Sequence, residues 1–325
     1  MITDFLYKIY LNFKFRTYQK PIYSNFFQHS DKRICIFNPT IYFSGNKPKL
    51  LMRYVSIDDK KRQLCQYNLS NLDKNKTIVN VINKELFLIS FNKYPWIADP
   101  RSHTYKNKNY FTFNTGHSES PNKFLYFDSK NDPYEIYTNF KRRNIEKNWI
   151  LFEHQKKELA IYSHSPKLDI VKLNLNNKKK YASQYKSFNY NNFFWEKKYG
   201  EIRGGAGVFE YNKYYISIFQ SSIKTIKGLI YNTGLLVMDK KNLKPMLISK
   251  RPILNYTNLS NDLFIKENIL NKQAYRAVYP TGYINNGNHL YISYGVNDYM
   301  FGISLFNINS LMKDMIKLEV HDKYD

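Results

Sequence analysis

The chain has 325 residues, which fits one large domain or two small ones, and its 43% of hydrophobic residues provide material for a core. Its formal charge of +24 would suit nucleic acid or an anionic membrane surface. The lysines are scattered among asparagines and acidic residues, however, and the sequence contains no helix-turn-helix, zinc-finger or RNA-recognition signature. We therefore attribute the charge to a compositional bias toward Lys, Asn, Ile and Tyr, and expect no nucleic-acid partner.

Residues 1–30 are predicted to form an N-terminal extension. Its beginning, up to Arg16, is amphipathic, but Asp4, Lys8 and Lys14 interrupt the apolar run, which makes a signal peptide a poor interpretation. This segment could form a short surface helix, which we favour, or a weak anchor at a membrane surface. No apolar run approaches the roughly 18 residues of a transmembrane helix, so a cytoplasmic location is predicted.

A hairpin of two short strands recurs five times along the rest of the chain. The first strands are apolar, aromatic and β-branched runs at 49–56, 109–115, 158–164, 214–220 and 289–295. The second strands follow at 63–69, 124–128, 170–175, 234–239 and 302–308. The first strands start roughly 50 to 75 residues apart, a spacing typical of propeller blades that have four strands with loops. The sequence therefore predicts an all-β fold, a single five-bladed β-propeller that spans residues 31–325.

Helical signals are weak and are confined to residues 1–12 and 260–273. The interval 178–198, rich in Asn, Lys, Tyr and Phe, is predicted to be a long loop between blades. Neither feature supports a second domain.

A short polar or Gly/Pro motif precedes each hairpin. The motifs are Asn38-Pro39-Thr40, Asp99-Pro100-Arg101, Asn148-Trp149, Arg203-Gly204-Gly205 and Tyr279-Pro280-Thr281-Gly282. Each motif marks the entrance of the innermost strand of its blade, and innermost strands surround the axis of a propeller. The entrances should therefore converge at one mouth, where Asp99, Arg101 and Arg203 would meet Arg53 of an adjoining strand. Alternatively, the Pro and Gly residues only form turns.

The same segments resemble motifs of glycoside hydrolase family 130, the β-mannoside phosphorylases, and of the related β-1,2-mannosyltransferases. The matching segments, in order, are Phe37-Asn38-Pro39-Thr40 with Arg53, Ala98-Asp99-Pro100-Arg101, Glu146-Lys147-Asn148-Trp149, Arg203-Gly204-Gly205 with Phe219-Gln220-Ser221-Ser222 and Tyr231, and Tyr279-Pro280-Thr281-Gly282 with Tyr294-Gly295-Val296-Asn297-Asp298. Ala98 departs from the family's usual glutamate and Gln220 from a common histidine. The second departure bears on phosphate contacts, because glutamine donates a neutral hydrogen bond where histidine could carry charge.

The resemblance implies a five-bladed propeller with β-mannoside chemistry and Asp99 as the catalytic acid. It also implies phosphate ligands around the mouth, for which the candidates are Arg101, Arg143, Lys147, Arg203 and Tyr231. The candidate sugar ligands are Asn38, Arg53 and Asp298. Structural roles are the alternatives: a turn cap for Asp99, an ion pair with Asp99 for Arg101, solvated charges for Arg143 and Lys147, a pin on the Gly-Gly turn for Arg203, a turn for Asp298 and core packing for Tyr231.

The balance of charge at the motifs favours phosphate over water as the nucleophile. An inverting hydrolase needs two carboxyl groups about 6.5–9.5 Å apart, one of them to activate water. A phosphorylase needs only one acid, because phosphate is already a nucleophile. The motif regions contain few carboxylates (Asp99, Glu146 and Asp298) and several arginines and lysines. The planar fork of arginine matches the oxygens of phosphate.

The sequence thus predicts an inverting enzyme that transfers a mannosyl-type sugar between phosphate, or another activated donor, and a β-linked glycan acceptor. Inorganic phosphate would be a co-substrate. No metal and no cofactor are expected, because no Asp/His cluster has ligand spacing and the glycine-rich 203–207 segment lacks the GxGxxG pattern. The alternatives are a glycosidase of another five-bladed class and a non-catalytic glycan-binding propeller. The sequence leaves a homo-oligomer open.

Overall fold

The structure is a computed structural model of the chain. It describes residues 2–58, 62–69, 87–94, 96–116, 122–128, 132–142, 148–175, 180–260, 270, 273 and 276–321. These residues are mostly strands, which form five β-sheets.

A helix and a short strand come before the first sheet in the sequence. Helix α1 covers Ile2–Lys14 and strand β1 covers Tyr23–Phe27. Leu11 of the helix and Phe15, just beyond it, are buried in the main hydrophobic core, so α1 packs on the sheets as a surface helix. Within the described ranges, no helix is long and apolar enough to cross a bilayer.

The first two sheets are four-stranded antiparallel meanders that follow the chain order. Their strands are β2 (Ile34–Ser44), β3 (Lys47–Ser56), β4 (Arg62–Asn68) and β5 (Phe87–Ile89), then β6 (Ala98–Tyr105), β7 (Lys108–Asn114), β8 (Phe124–Phe127) and β9 (Tyr134–Glu135).

The third and fourth sheets are larger and are separated by helix α2 (Phe193–Tyr199). Their strands are β10 (Tyr137–Thr138), β11 (Ile150–His154), β12 (Lys157–Ser163), β13 (Leu168–Asn174) and β14 (Tyr181–Tyr190), then β15 (Glu201–Tyr211), β16 (Tyr214–Thr225), β17 (Gly228–Asp239), β18 (Pro245–Ser249) and β19 (Leu254–Asn255). A 3-10 helix, Tyr256–Asn258, follows the last of these.

The fifth sheet combines both ends of the chain. Strands β20 (Val278–Asn286), β21 (His289–Val296) and β22 (Met300–Asn307) pair in order, and β1 adds antiparallel to β22. The chain ends through helix α3 (Ile308–Leu311), a 3-10 helix (Met312–Asp314), and strands β23 (Met315–Lys317) and β24 (Val320–His321), which extend the fourth and third sheets.

The innermost strands of the five sheets form a closed ring. Strand β2 touches β6 and β20, β11 touches β6 and β15, and β15 touches β20. Both faces of each sheet are therefore covered by neighbouring sheets, and the strands are buried without alternation, as in β21 from Leu290 to Val296. This arrangement confirms the five-bladed β-propeller and the five predicted hairpins.

Tight turns join each innermost strand to the next strand of its sheet. The turns cover residues 45–46, 106–107, 155–156, 212–213 and 287–288. Gly45, Asn212 and Gly287 have φ of +62°, +54° and +60°, as two-residue hairpin turns require. The five turns lie together at the end of the propeller opposite the motifs.

Two sequence-based expectations about element boundaries need correction. The interval 178–198 is not a loop, because β14 and α2 occupy most of it; β14 is polar because it lies toward the outer edge of its sheet. The predicted extension 1–30 contains β1, so the boundary at residue 31 falls inside the fifth blade. The helix predicted at 260–273 lies almost entirely outside the described residues.

Candidate active site

Four of the five innermost strands break register at their sequence motifs. The breaks fall between Phe37 and Thr40 in β2, Ala98 and Arg101 in β6, Gly204 and Gly207 in β15, and Pro280 and Gly282 in β20. Bulges of this kind redirect side chains that would otherwise follow the strand. Asn38 and Asp99 both have φ +52°, in the left-handed region that Asn and Asp tolerate better than most residues.

Asp99 is buried and is held from two neighbouring positions of the first blade. Its Oδ1 accepts a hydrogen bond of 2.8 Å from Asn38 Nδ2 and forms an ion pair of 3.3 Å with Arg53 Nη1. The Arg53 guanidinium also lies 4.7 Å from the centre of the Phe37 ring. The carboxylate of the predicted acid is therefore fixed in one orientation by two of the predicted sugar ligands.

A glycine leaves room for this arrangement. A Cβ on Gly295 of β21 would lie 2.0 Å from Asn38 Oδ1 and 2.9 Å from the Asn38 backbone nitrogen. Gly295 belongs to the fifth blade, so the position of Asn38 depends on a close approach between blades.

Arg101 is buried and connects four blades. Its Nε donates to the Gly205 carbonyl at 2.7 Å, and its Nη1 donates to the Asp99 carbonyl at 3.2 Å. Its Nη2 donates to Tyr279 Oη at 3.2 Å and to Asn148 Oδ1 at 3.4 Å. The carboxylate of Asp99 is paired with Arg53 instead, so Arg101 supports the acid through the backbone.

Two tyrosines complete this cluster. Tyr279 donates to Asn148 Oδ1 at 2.9 Å, and its ring lies edge-on to Tyr231 with 6.1 Å between the ring centres. Burial and the charge of Asp99 raise the pKa of Tyr279, which therefore stays a neutral phenol. Tyr231 therefore lies next to Tyr279, and its predicted role as a phosphate ligand stays a prediction. Sequence analysis had singled out Tyr279 and Asn148 only as parts of motifs, not as site residues.

Arg62 is the site cation that the sequence reasoning missed. Its guanidinium lies 3.7 Å from the centre of the Trp96 ring, a stacked cation–π contact. Burial lowers the pKa of Arg62, the Arg53 charge lowers it further, and Asp298 raises it. Asp298, a predicted sugar ligand, therefore lies within electrostatic range of Arg62. Arg62 lies at the start of β4, outside every motif, so no sequence pattern marked it.

The remaining predicted ligands differ in their surroundings. Arg203 is 51% exposed and its Nη2 forms a 2.7 Å ion pair with Glu201 Oε2, so it lies at the rim rather than in the buried cluster. Arg143 and Lys147 lie outside the described residues. Gln220, opposite Arg203 in the sheet, is buried, and its Oε1 has no hydrogen-bond partner in the described part of the chain. Trp149 stacks on Phe124 in the core, with 4.5 Å between ring centres, which supports a packing role.

The cluster is a charged, hydrogen-bonded site at one end of the propeller axis. It combines the fixed carboxylate of Asp99 with Arg53 and Arg101 at hydrogen-bonding distance, Arg62 within electrostatic range of Arg53, and Arg203 at the rim. Among the described residues, no group of His, Cys, Asp and Glu side chains could hold a metal ion. Such a site can exchange a proton with a substrate hydroxyl and attract an anion.

Comparison with solved structures finds the same architecture in proteins of carbohydrate chemistry. The β-1,2-mannobiose phosphorylase from Listeria innocua, in complex with β-1,2-mannobiose, is 14% identical, with a TM-score of 0.58, over 91% of this chain and 94% of that one. A putative glycosidase from Bacteroides thetaiotaomicron is 10% identical, with a TM-score of 0.59, over 89% of this chain and 93% of that one.

A third similar structure is from glycoside hydrolase family 130, a family of mannoside phosphorylases that also contains glycoside hydrolases that target β-1,2-mannosidic linkages. It is 10% identical, with a TM-score of 0.56, over 90% of this chain and 97% of that one. No protein-family model matches the chain. No curated protein matches its sequence either. At these identities the likeness shows a shared fold.

Proposed function

We propose that this protein is an inverting carbohydrate-active enzyme that transfers a mannosyl-type sugar between phosphate and a β-linked glycan acceptor. The observation that carries the proposal is the carboxylate of Asp99, which Asn38 and Arg53 hold in one orientation and which lies next to Arg101. The fold shared with a protein named as a β-1,2-mannobiose phosphorylase supports the choice of sugar.

The proposed reaction needs one proton carrier. In phosphorolysis, a phosphate oxygen attacks the anomeric carbon, the glycosidic C–O bond breaks, and the proton of Asp99 goes to the departing oxygen. The products are a sugar 1-phosphate of inverted configuration and a shortened glycan. In synthesis the same steps run backwards, and Asp99 takes the proton from the acceptor hydroxyl.

The arginines supply the anion site for this reaction. Arg53 and Arg62 lie close enough for their charges to repel, since Arg53 lowers the pKa of Arg62. An anion bound between them would relieve that repulsion. Arg203 at the rim would extend the site toward solvent. Arg143 and Lys147, which lie outside the described residues, remain candidate phosphate ligands. Tyr231 can donate a neutral hydrogen bond to a phosphate oxygen.

An assay in the synthetic direction tests the proposal. Purified protein supplied with mannose 1-phosphate and short β-mannosides should release inorganic phosphate. Asp99→Asn should lower kcat about 100- to 10,000-fold, which is what a positioned proton donor contributes. Asparagine also tolerates the left-handed backbone of this position, so the variant should fold. Glu153→Gln at the opposite end of the axis is the matched control and should keep full activity.

Two results would contradict the assignment. Undiminished turnover in Asp99→Asn would remove Asp99 from the mechanism. Oligosaccharide binding without turnover in either direction would indicate a glycan-binding propeller instead.

Hydrolysis is the second candidate, because Asp298 interacts electrostatically with Arg62 at the mouth and could serve as a second carboxylate. A hydrolase would release free mannose from β-mannosides without consuming phosphate. Asp298→Asn would then abolish turnover, whereas in a phosphorylase it would mainly raise KM for the sugar.

A further inference from the structure

Helix α1 carries a second apolar stripe that is exposed in the described part of the chain. Tyr7 and Leu11 face the propeller, and the stripe continues to Phe15 beyond the helix. On another face, apolar side chains recur at positions i, i+3, i+4 and i+7, the spacing of one side of a helix. These side chains are those of Leu6, Ile9, Tyr10 and Phe13, which are 57%, 51%, 52% and 79% exposed, respectively.

Helix α2 carries two more exposed rings. Phe193 is 66% and Phe194 is 43% exposed. A cavity of about 640 Å³ lies between Lys14 at the end of α1, helix α2 and residues 316–319, so the two helices border one depression. The helical patch consists of Leu6, Ile9, Tyr10, Phe13, Phe193 and Phe194.

Lysines border the helical patch. Lys14, Lys197, Lys198 and Lys317 line the cavity, where Glu319 is the acidic residue among the described lining. The Lys14 Nζ lies 5.9 Å from the centre of the Tyr10 ring, and the Lys197 Nζ lies 5.7 Å from that of Phe193. The charges of Arg251 and Lys14 add to burial in lowering the pKa of Lys198, which shows how dense the positive charge is.

Exposed apolar side chains bordered by lysines favour a membrane over a protein as the binding partner. The cores of protein–protein interfaces are depleted in lysine. Helices that lie in the membrane interface instead combine exposed Leu, Phe and Trp with a lysine-rich polar side. We infer that the helical patch docks on the surface of an anionic phospholipid bilayer, with its apolar side chains among the lipids and its lysines at the headgroup phosphates.

The helical patch lies at the mouth end of the propeller. Helix α2 ends at Tyr199, β15 begins at Glu201, and the Gly205 carbonyl already accepts a hydrogen bond from Arg101. A bilayer bound at the patch would therefore lie beside the mouth.

Co-sedimentation with lipid vesicles tests the inference. The full chain should bind vesicles of phosphatidylcholine mixed with phosphatidylglycerol, and bind those of phosphatidylcholine alone much more weakly. Leu6→Glu and Phe13→Glu should each lower the partition coefficient at least about tenfold, because each removes one apolar side chain that would be buried in the bilayer. Leu88→Glu, a matched change of an exposed leucine on β5, should leave binding unchanged.

The lysines are tested in the same assay. Lys197→Glu should weaken binding at least about fivefold, as expected for losing one lysine near an anionic surface. Lys47→Glu, in the hairpin turn region at the opposite end, is the control and should have little effect. Far-UV circular dichroism of each variant checks that it is folded.

Three outcomes would overturn the inference. The first is no binding to either vesicle. The second is equal weakening by the patch variants and by Leu88→Glu or Lys47→Glu, which would indicate attraction by overall charge alone. The third is a dimer in solution that Phe13→Glu converts to a monomer, which would show that a second copy covers the patch.

Discussion

At one end of the propeller, strand β2 connects to β3 through a tight turn at Gly45, whose φ is +62°. At the other end, β2 has a bulge at Asn38, whose φ is +52°. Strand β6 repeats the contrast, with Asn107 in its turn and Asp99 in its bulge. The turn residues are exposed, whereas Asn38 and Asp99 are buried and hydrogen-bonded to each other. One backbone conformation thus closes hairpins at one end and presents polar groups to the axis at the other.

The two ends also differ in charge. At the turn end, all five innermost strands line a cavity of about 390 Å³ whose charged residues include Glu153 and Glu210. At the mouth, Arg53 and Arg101 hold Asp99, and Arg62 lies within electrostatic range of Arg53 and Asp298. The bulges therefore mark the end of the propeller at which buried arginine contacts are concentrated.

Arg101 tests this contrast most strongly. Arg101→Lys keeps the charge but loses the fork that reaches four partners in four blades. We expect the free energy of unfolding to fall by about 3 kcal/mol, because buried carbonyls lose their donors. Activity should fall about 100-fold as the site loosens. Urea denaturation and steady-state kinetics measure the two effects.

The exposed Arg33, whose guanidinium pairs with Asp31 and Asp58, provides the control for Arg101. Arg33→Lys should change the free energy of unfolding by less than about 0.5 kcal/mol. An equally small effect of Arg101→Lys would show that the mouth is not held together by this side chain.

Substitutions at two glycines test whether the mouth and the turn end of the propeller have different roles. Gly295→Ala should displace Asn38, break its hydrogen bond to Asp99 and lower activity about tenfold, with a loss of stability of about 1–3 kcal/mol from overpacking. Gly45→Ala strains a left-handed turn with nothing within 4 Å of the new Cβ. It should cost about 1 kcal/mol of stability and leave activity unchanged. Loss of activity in both variants would contradict the division of roles.

The turn-end half of the molecule has its own titrating group. Glu158 is buried, accepts a 2.7 Å hydrogen bond from Tyr126, and lies 3.6 Å from His103 Nε2. Burial raises the pKa of Glu158 to about 7 from 4.5. The folded protein therefore binds a proton that the unfolded chain releases, and this stabilisation is complete below pH 4.5 and disappears as the pH rises through 7.

Glu158→Gln removes this dependence. Between pH 4.5 and 7 the free energy of unfolding of the wild type should fall by about 2–3 kcal/mol relative to the variant. Burial also lowers the pKa of His103 to about 3, which acts in the opposite direction in both proteins. Glu210→Gln, an exposed residue paired with Lys240, is the control. Parallel pH profiles of wild type and Glu158→Gln would refute the shifted pKa.

The fold was readable from the sequence because its signals are local. Apolar runs separated by tight turns define each hairpin, and the motifs lie at the bulges of the innermost strands. Strand β14 escaped prediction because an outer position makes it polar, and β1 because its partner β22 lies at the other end of the chain.

The site was only partly readable. Proximity of Asn38, Arg53, Asp99 and Arg101 followed from the matching phase of their motifs. The pairing of their side chains could not be predicted from the sequence, because it depends on packing between blades. The Asp99 carboxylate pairs with Arg53 rather than with Arg101. Arg62 could not be found at all, since its partner Trp96 lies on another blade and neither belongs to a repeated pattern.

Strand β1 completes the fifth blade by pairing with β22, although the two strands lie far apart in the sequence. Ser24 of β1 meets Ser304 of β22 through their hydroxyls at 2.7 Å, across 280 residues of sequence. During synthesis β1 is made long before β22, so its edge stays unpaired until β22 has been made. The fifth blade therefore cannot be completed before residue 307, and β23 and β24, which follow, then extend the fourth and third sheets. Phe15, just after α1, packs on Tyr199 of α2 and accepts a hydrogen bond from Asn255 of β19, so the segment between α1 and β1 connects the fourth blade to the fifth.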